Sequence, residues 1–344
     1  MICKHDFSEM VAVPVGESKG FTYKCIKCGI LLHERPKMNL LDNDALQAMV
    51  DYSFGDQSGV LGGVPQAYMK RADIFNTGFD YAVATHKGEV MTLFVDNVRL
   101  YQRWLEYSDW MHLKPVSEQD RQWLNTFYGQ SVLGRCAVHP KKKFIIFTAF
   151  EDTPIDQDIY DQIPENVIAI HAANAVVFGG KVHPFPHGIE RKMYSGYTHH
   201  DILKQVMLDE VEPTKLLFVA HREDTGNRAS IGQLFKDKEW ATVTHLPYEQ
   251  YLKAIQKHKF VLCPSGNGIE SSRNWETLYM RRVPVFKDHP YLREMFKDFP
   301  ALFVKDFDEV TEQLLKDNDH LFQQAQSMDM EKLSLDYWFN KAIK

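Results

Sequence analysis

The chain has 344 residues, enough for two domains with substantial cores, and its 44% apolar and 25% charged content is that of an ordinary globular protein. A formal net charge of −6 excludes a uniformly basic coat for nucleic acid, while leaving room for a local basic groove; Lys141, Lys142, Lys143, Arg281 and Arg282 are the candidate spots, and a solvated charged surface is the plain alternative. No run of eighteen apolar residues occurs, and MICKHDFSEM lacks a positive-then-apolar signal pattern, so the expectation is a cytoplasmic chain that neither spans a membrane nor is secreted.

The first element is a cysteine module over residues 1–35. Cys3-x-His5 and Cys25-x-x-Cys28 offer four ligands of the types zinc prefers, with His33 as a spare nitrogen, and the glycine of KCIKCG helps the knuckle turn. A zinc with all four positions filled is structural, not catalytic. The alternative is a set of reduced cytosolic thiols. Cys136 and Cys263 stand alone and read as core residues; Cys263 ends an apolar strand.

Next come a short helical pattern near residues 39–52 and a turn-rich stretch at 54–66. A strand is expected at 89–94, an aromatic-rich helix at 97–111, another helix from Ser117, a buried strand at 144–149 and a further strand at 167–170. From Lys215 the pattern alternates cleanly: strand 215–220, helix 228–237, strand 241–246, helix 248–258, strand 259–264, helix 271–281, strands 283–286 and 301–305, helix 308–317, then helices to the C-terminus. Such alternation predicts an α/β fold with a parallel sheet covered on both faces, and ligands in those sheets sit beyond the carboxyl ends of the strands.

The stretch FVLCPSGNGIESSRNWETLYMRRVPVF, residues 260–286, carries the chemistry. An apolar strand enters a loop, Ser265, Gly266, Asn267 and Gly268, whose glycines tolerate positive φ and close approach to a ligand. Ser271 or Ser272 can cap the helix that follows, whose first N–H groups and dipole favour an anion. Arg273 adds a forked positive donor, and Glu276, four residues after Ser272, projects from the same face about one turn deeper. A diphosphate at the helix start would place a ribose within reach of that carboxylate. The combination describes a nucleotide-sugar donor pocket.

The same residues resemble the donor-binding half of exostosin-like glycosyltransferases, in particular viral and bacterial relatives whose motif reads approximately HKFVLCPRGNGIDTHRTWEALYMGCIPIV. Gly266, Asn267, Gly268, Arg273, Trp275, Glu276, Leu278, Tyr279 and Pro284 match. Ser265 replaces the arginine usual before GNG, and Arg281–Arg282 replaces a small pair after the helix. KLLFVAHREDTGNRASIGQLF (215–235), FTAFEDTPI (147–155) and GKVHPFPHGIE (180–190) resemble further family segments, so the likeness runs from about residue 144 to 318. It implies two Rossmann-like domains (GT-B) after the zinc module: an acceptor-side domain over 36–195, a nucleotide-sugar domain over 196–318, and helices at 319–344 crossing back to the first domain.

A sugar transfer needs charge stabilisation for the leaving diphosphate and a base for the acceptor hydroxyl. Arg222, Arg228 and Arg273 are the diphosphate candidates; each has a surface or structural ion-pair reading beside it. Asp152 occupies the place of the aspartate in the family's THNSD motif and is the expected base, with Glu151 adjacent and turn capping before Pro154 as its alternative. His187 is a second catalytic candidate, and Glu190 a further contact for the transferred sugar. Asp156-Gln157-Asp158 has metal-site spacing but follows a proline-containing turn, so a metal-independent transfer from a UDP-sugar is expected. The favoured acceptor, by comparison with viral enzymes, is modified cytosine in phage DNA, which places the chain in the host cytoplasm. A surface or capsule glycan is the alternative, and an inactive zinc-knuckle binding protein another. A dinucleotide oxidoreductase is disfavoured, since no GxGxxG with a downstream ribose acid follows a strand.

Overall fold

The computed structural model describes residues 10–15, 20–25, 31–32, 40–53, 79–95, 132–148, 154–189, 198–209, 211–222, 228 and 230–344. The expected zinc ligands Cys3, His5 and Cys28, the spare His33, and the candidates Glu151, Asp152 and Glu190 lie outside them, as do the loop at 54–66 and the patterns at 97–111 and after Ser117. Cys25 ends a strand of which only the backbone is described. Among the described residues no three His, Cys, Asp or Glu side chains group as metal ligands, and no helix is long and apolar enough to cross a membrane.

The chain divides into two compact units, one of Asn43–His187 with Ile343, the other of Met1–Asp42, Gly188–Ala342 and Lys344. Near the N-terminus, β1 (Met10–Val15), β2 (Gly20–Cys25) and β3 (Leu31–Leu32) form an antiparallel sheet in that order, with Met10 opposite Cys25 and Val15 opposite Gly20.

The unit of Asn43–His187 holds α1 (Asn43–Met49), β4 (Tyr52–Ser53), β5 (Val90–Phe94), α2 (Val132–Ala137), β6 (Lys143–Thr148), α3 (Gln157–Asp161), β7 (Val167–Ala172) and β8 (Val182–Pro184). Its five strands are parallel and lie in chain order, β4-β5-β6-β7-β8. β6 is buried at every position after Lys143, as expected of a parallel strand covered on both faces. The basic run beside it is largely tied down: Lys143 pairs with Glu89 at 2.6 Å, and Lys142 Nζ donates to the His86 carbonyl at 2.9 Å.

The second unit continues with α4 (Thr198–Val206), β9 (Lys215–Val219), β10 (Ala241–Val243), α5 (Tyr248–Gln256), β11 (His258–Leu262), α6 (Ser272–Tyr279), β12 (Val283–Lys287), α7 (Pro290–Met295), β13 (Leu302–Val304), α8 (Glu312–Asp317), α9 (Asp319–Gln326) and α10 (Leu335–Ala342). All five strands are parallel, ordered β10-β9-β11-β12-β13. The order reverses between β9 and β11: the chain leaves β9 toward one edge and β11 toward the other. The loops after those two strands therefore diverge and leave a crevice at their carboxyl ends, where such sheets bind ligands. The described strands of the other unit have no such reversal.

The helix expected at 228–237 is instead a single 3₁₀ turn, Gly232–Leu234. Gly232 weakens a helix there, and Arg228 is held by contacts outside any helix, as described below. The expectation of surface charge at Arg282 is also corrected. Arg282 is buried, and its Nε and Nη2 donate to the carbonyls of Gln256 (3.1 Å from Nε) and Val211 (2.7 Å from Nη2). Arg281 takes φ 55, the left-handed turn that ends many helices, where the related motif has glycine.

On the core side, Trp275 meets Phe296, Phe299 and Trp338 of α10 at ring separations of 5.0, 5.8 and 6.3 Å. Glu270, itself buried, accepts from Trp275 Nε1 and from Tyr291 Oη (2.7 Å) and so anchors the start of the α6 region.

His258 at the start of β11 is buried with Nδ1 2.7 Å from the Ala254 carbonyl and Nε2 2.8 Å from Thr242 Oγ1. A carbonyl only accepts, so Nδ1 carries the proton and Nε2 accepts from Thr242. Burial, the largest cause, lowers its pKa to about 4, so the fold favours the neutral ring. A histidine lowered on folding adds stability that is present above its ordinary value near 6.5 and is lost as pH falls from there toward 4. The melting temperature is expected to drop over that window and to drop less steeply in His258→Gln. Parallel pH profiles for the two proteins would show that His258 contributes nothing to acid lability.

Candidate functional site

The crevice at β9 and β11 opens into a cleft of about 400 Å³. One wall is the start of α6, with Ser271, Ser272, Arg273 and Glu276; another is the end of β9, with Ala220 and Arg222; the third is the approach to α5, with His245, Leu246, Tyr248 and Tyr251. Arg228 and His199 complete it.

Ser271 stands at the N-cap position with extended backbone, but its hydroxyl does not cap: it donates to Asn274 Oδ1 at 3.0 Å. The Asn274 N–H donates to the Ser271 carbonyl at 3.0 Å, and the serine side chain consumes none of the N–H groups at the helix start. Arg273 sits in that turn with its guanidinium carbon 6.0 Å from the centre of the Tyr251 ring. Its Nε is buried and has no hydrogen-bond partner among the described residues. A cation with an unused donor at a helix start is chemically suited to an anion.

Glu276 is 5% exposed, one turn further in. Tyr248 donates to its Oε1 and Tyr251 to its Oε2, both at 3.0 Å. Each carboxylate oxygen accepts more than one bond, so the phenols fix the carboxylate's orientation without exhausting it. Burial, followed by the charge of Glu276, raises the Tyr251 pKa well above the usual phenol value and keeps it a donor. His199 stacks on Tyr248 with ring centres 3.8 Å apart and planes inclined by 13°.

Arg228 is also buried, and its role is partly structural: Nε donates to the Ser265 carbonyl at 2.7 Å and Nη2 to the Pro264 carbonyl at 2.9 Å. It ties the end of the β9 loop to the loop after β11. That second loop closes on itself, with Ser265 Oγ donating to the Ile269 carbonyl at 3.1 Å and the Gly266 N–H to the Gly268 carbonyl at 3.0 Å. Ser265, Gly266, Asn267 and Gly268 are not among the residues lining the cleft. Left-handed glycines among the described residues are Gly179, Gly180 and Gly188, so the turn at 265–268 uses compactness, not positive φ.

No family model matches the chain, and no curated protein matches it. It is similar to a solved α1,3-fucosyltransferase at a TM-score of 0.33 and 12% identity, over 56% of this chain and 66% of that chain. That similarity is too small to establish the fold, which stands on the strand topology.

Of the residues expected from the sequence, Arg222, Arg228, Ser271, Ser272, Arg273 and Glu276 meet in one cleft. His187 belongs to the other unit; the protein packed around its ring lowers its pKa to about 4, so it is neutral near pH 7. Cys263 is buried with its thiol pushed up to about 12 by burial, and burial raises Cys136 as well, in keeping with core thiols. Sequence reasoning missed His199, Tyr248 and Tyr251. The two tyrosines are three apart on α5 and read as its apolar face, and nothing local connects them with a carboxylate 28 and 25 residues away.

Proposed function

We propose that the chain is a glycosyltransferase that holds a nucleoside diphosphate sugar in the cleft between β9, α5 and α6. The observation that carries this reading is the pairing of Arg273, a cation at a helix start whose buried Nε has no partner among the described residues, with Glu276 one turn deeper in the same cleft. The first suits a diphosphate and the second the hydroxyls of a ribose attached to it. The crevice location at a reversal of strand order favours the same ligand class. Arg222 is the second diphosphate contact, and Arg228 shapes the loop between them. The resemblance of residues 260–286 to exostosin-like enzymes adds the reaction: transfer of the sugar to an acceptor hydroxyl, with Asp152 as base and Glu151 beside it. Asp152→Asn is then expected to keep donor binding and to lose transfer by about a hundredfold or more, the range of general base catalysis. Turnover near that of the parent would move the base elsewhere. The N-terminal cysteines are proposed to hold one structural zinc per chain, which metal analysis of the purified protein tests.

The deciding experiment is a donor and acceptor screen with radiolabelled UDP-sugars against duplex DNA containing hydroxymethylcytosine and against free glycans. Label on the DNA identifies a DNA glycosyltransferase, and label on glycans identifies the other acceptor class. Neither transfer nor donor binding in any arm would overturn the enzyme reading and leave a binding protein.

A further inference from the structure

Beside the anion-binding cleft lies a second cavity of about 520 Å³, bounded by Val219, His221, Gly232, Val243 and Thr244. Arg222 and His245 line both, so the two are lobes of one depression at the carboxyl ends of β9 and β10. From the sequence, His221 is placed with Arg222 at the carboxyl end of a strand, where ligands sit, with no role assigned to it. It is 9% exposed, and neither Nδ1 nor Nε2 has a hydrogen-bond partner among the described residues. Buried polar side chains are nearly always partnered, and a ring facing a cavity with both nitrogens unused calls for a ligand.

The chemistry of that ligand follows from the contrast between the lobes. Arg273 and Arg228, with the start of α6, make the first lobe suitable for an anion. The second lobe, beyond the Arg222 and His245 that it shares with the first, has two valines, a glycine and a threonine around a neutral imidazole, which offers one donor and one acceptor. An anion uses donors only; a flat, uncharged heterocycle uses both. We propose that His221 is a specificity-determining residue that hydrogen-bonds the nucleobase of the donor in this second lobe through one ring nitrogen, to an N–H or a C=O on the edge of a base such as uracil or guanine. The proposal rests on the donor reading above. Burial, then the charges of Arg273 and Arg228, lowers the His221 pKa to about 4, while the Arg228 backbone, close by but outside hydrogen-bonding geometry, offsets part of the fall. A bound diphosphate would cancel some of the arginine charge, but burial, the largest cause, remains, so the ring stays able to accept.

The test is calorimetric binding of UDP, GDP and inorganic pyrophosphate to the full-length parent, His221→Leu and His221→Asn, with melting curves to confirm that both variants fold. The parent is expected to bind UDP or GDP more tightly than pyrophosphate. His221→Leu should weaken that nucleotide about tenfold, the scale of one lost hydrogen bond, and leave pyrophosphate unchanged. His221→Asn, which keeps a donor and an acceptor, should recover most of the loss. Equal losses for nucleotide and pyrophosphate would overturn the base contact, because His221 would then act on the phosphates or on the fold; so would an unchanged nucleotide affinity. A parent that binds pyrophosphate with no gain from the nucleoside overturns the proposal but spares the anion site. Failure of all three ligands to bind the parent removes the donor reading and this proposal with it.

Discussion

Replacing Glu276 with alanine is expected to weaken binding of the donor nucleotide by about a hundredfold, corresponding to about 2.7 kcal/mol, because the two charge-assisted bonds proposed to ribose hydroxyls would disappear together. The variant should also lose stability. Tyr248 and Tyr251 each donate to this carboxylate, and the Tyr251 hydroxyl is buried, so its removal strands a donor and costs about 1–3 kcal/mol. Glu276→Gln retains shape and one acceptor while removing charge, and should fall between the parent and alanine in affinity with a smaller loss of stability. Calorimetry and denaturant melts measure the two effects separately. An alanine variant that binds nucleotide like the parent would take the ribose out of this part of the cleft and leave Glu276 as a scaffold for the two tyrosines.

Gly188→Ala is expected to cost at least about 3 kcal/mol, at or beyond the upper edge of the ordinary range for single substitutions. Gly188 has φ +76, and a Cβ there would lie 2.2 Å from the Leu41 carbonyl oxygen and 3.0 Å from its carbon. The obstacle is backbone, and it is held from both sides: the Leu41 carbonyl accepts from the Ile189 N–H at 3.0 Å, and its N–H donates to Tyr279 Oη at 2.8 Å. Tyr279 Oη in turn donates to the Leu333 carbonyl at 2.7 Å, so the segment at residues 40–42 has little freedom to move away. Backbone strain at positive φ accounts for about 1–2 kcal/mol of the expected loss and the clash for the remainder. Gly188→Asn separates the two, since asparagine tolerates that φ better and still carries the offending Cβ. It should be nearly as damaging as alanine. Denaturant unfolding of either variant within about 1 kcal/mol of the parent would show that the segment yields.

Much of the second sheet was legible from the chain. β9, β11, β12 and β13 fall within a residue or two of the expected strands, because parallel strands covered on both faces read as short, nearly continuous apolar runs. The helix expected at 228–237 failed for a physical reason: its apolar spacing was present, but Gly232 and the tethering of Arg228 to Pro264 and Ser265 favour a turn. α7 was missed although it carries a start signal, proline at its first position and His289 Nδ1 accepting from the Tyr291 N–H at 3.2 Å. Six residues leave too little periodicity to read.

Arg273 and Glu276 could be placed together from the sequence because residues three apart on one helix are always about a turn apart, whatever the helix packs against. The alternation of strands and helices likewise determined a parallel sheet, and with it the end of the sheet at which a ligand binds. The order of its strands, and therefore the crevice between β9 and β11, came only from the tertiary structure. So did the grip of Tyr248 and Tyr251 on Glu276, the burial of Arg282 among carbonyls, and the two His221 nitrogens that have no partner among the described residues. Each of these depends on contacts between segments distant in the chain or on which side chains lose water, and neither is encoded in local spacing.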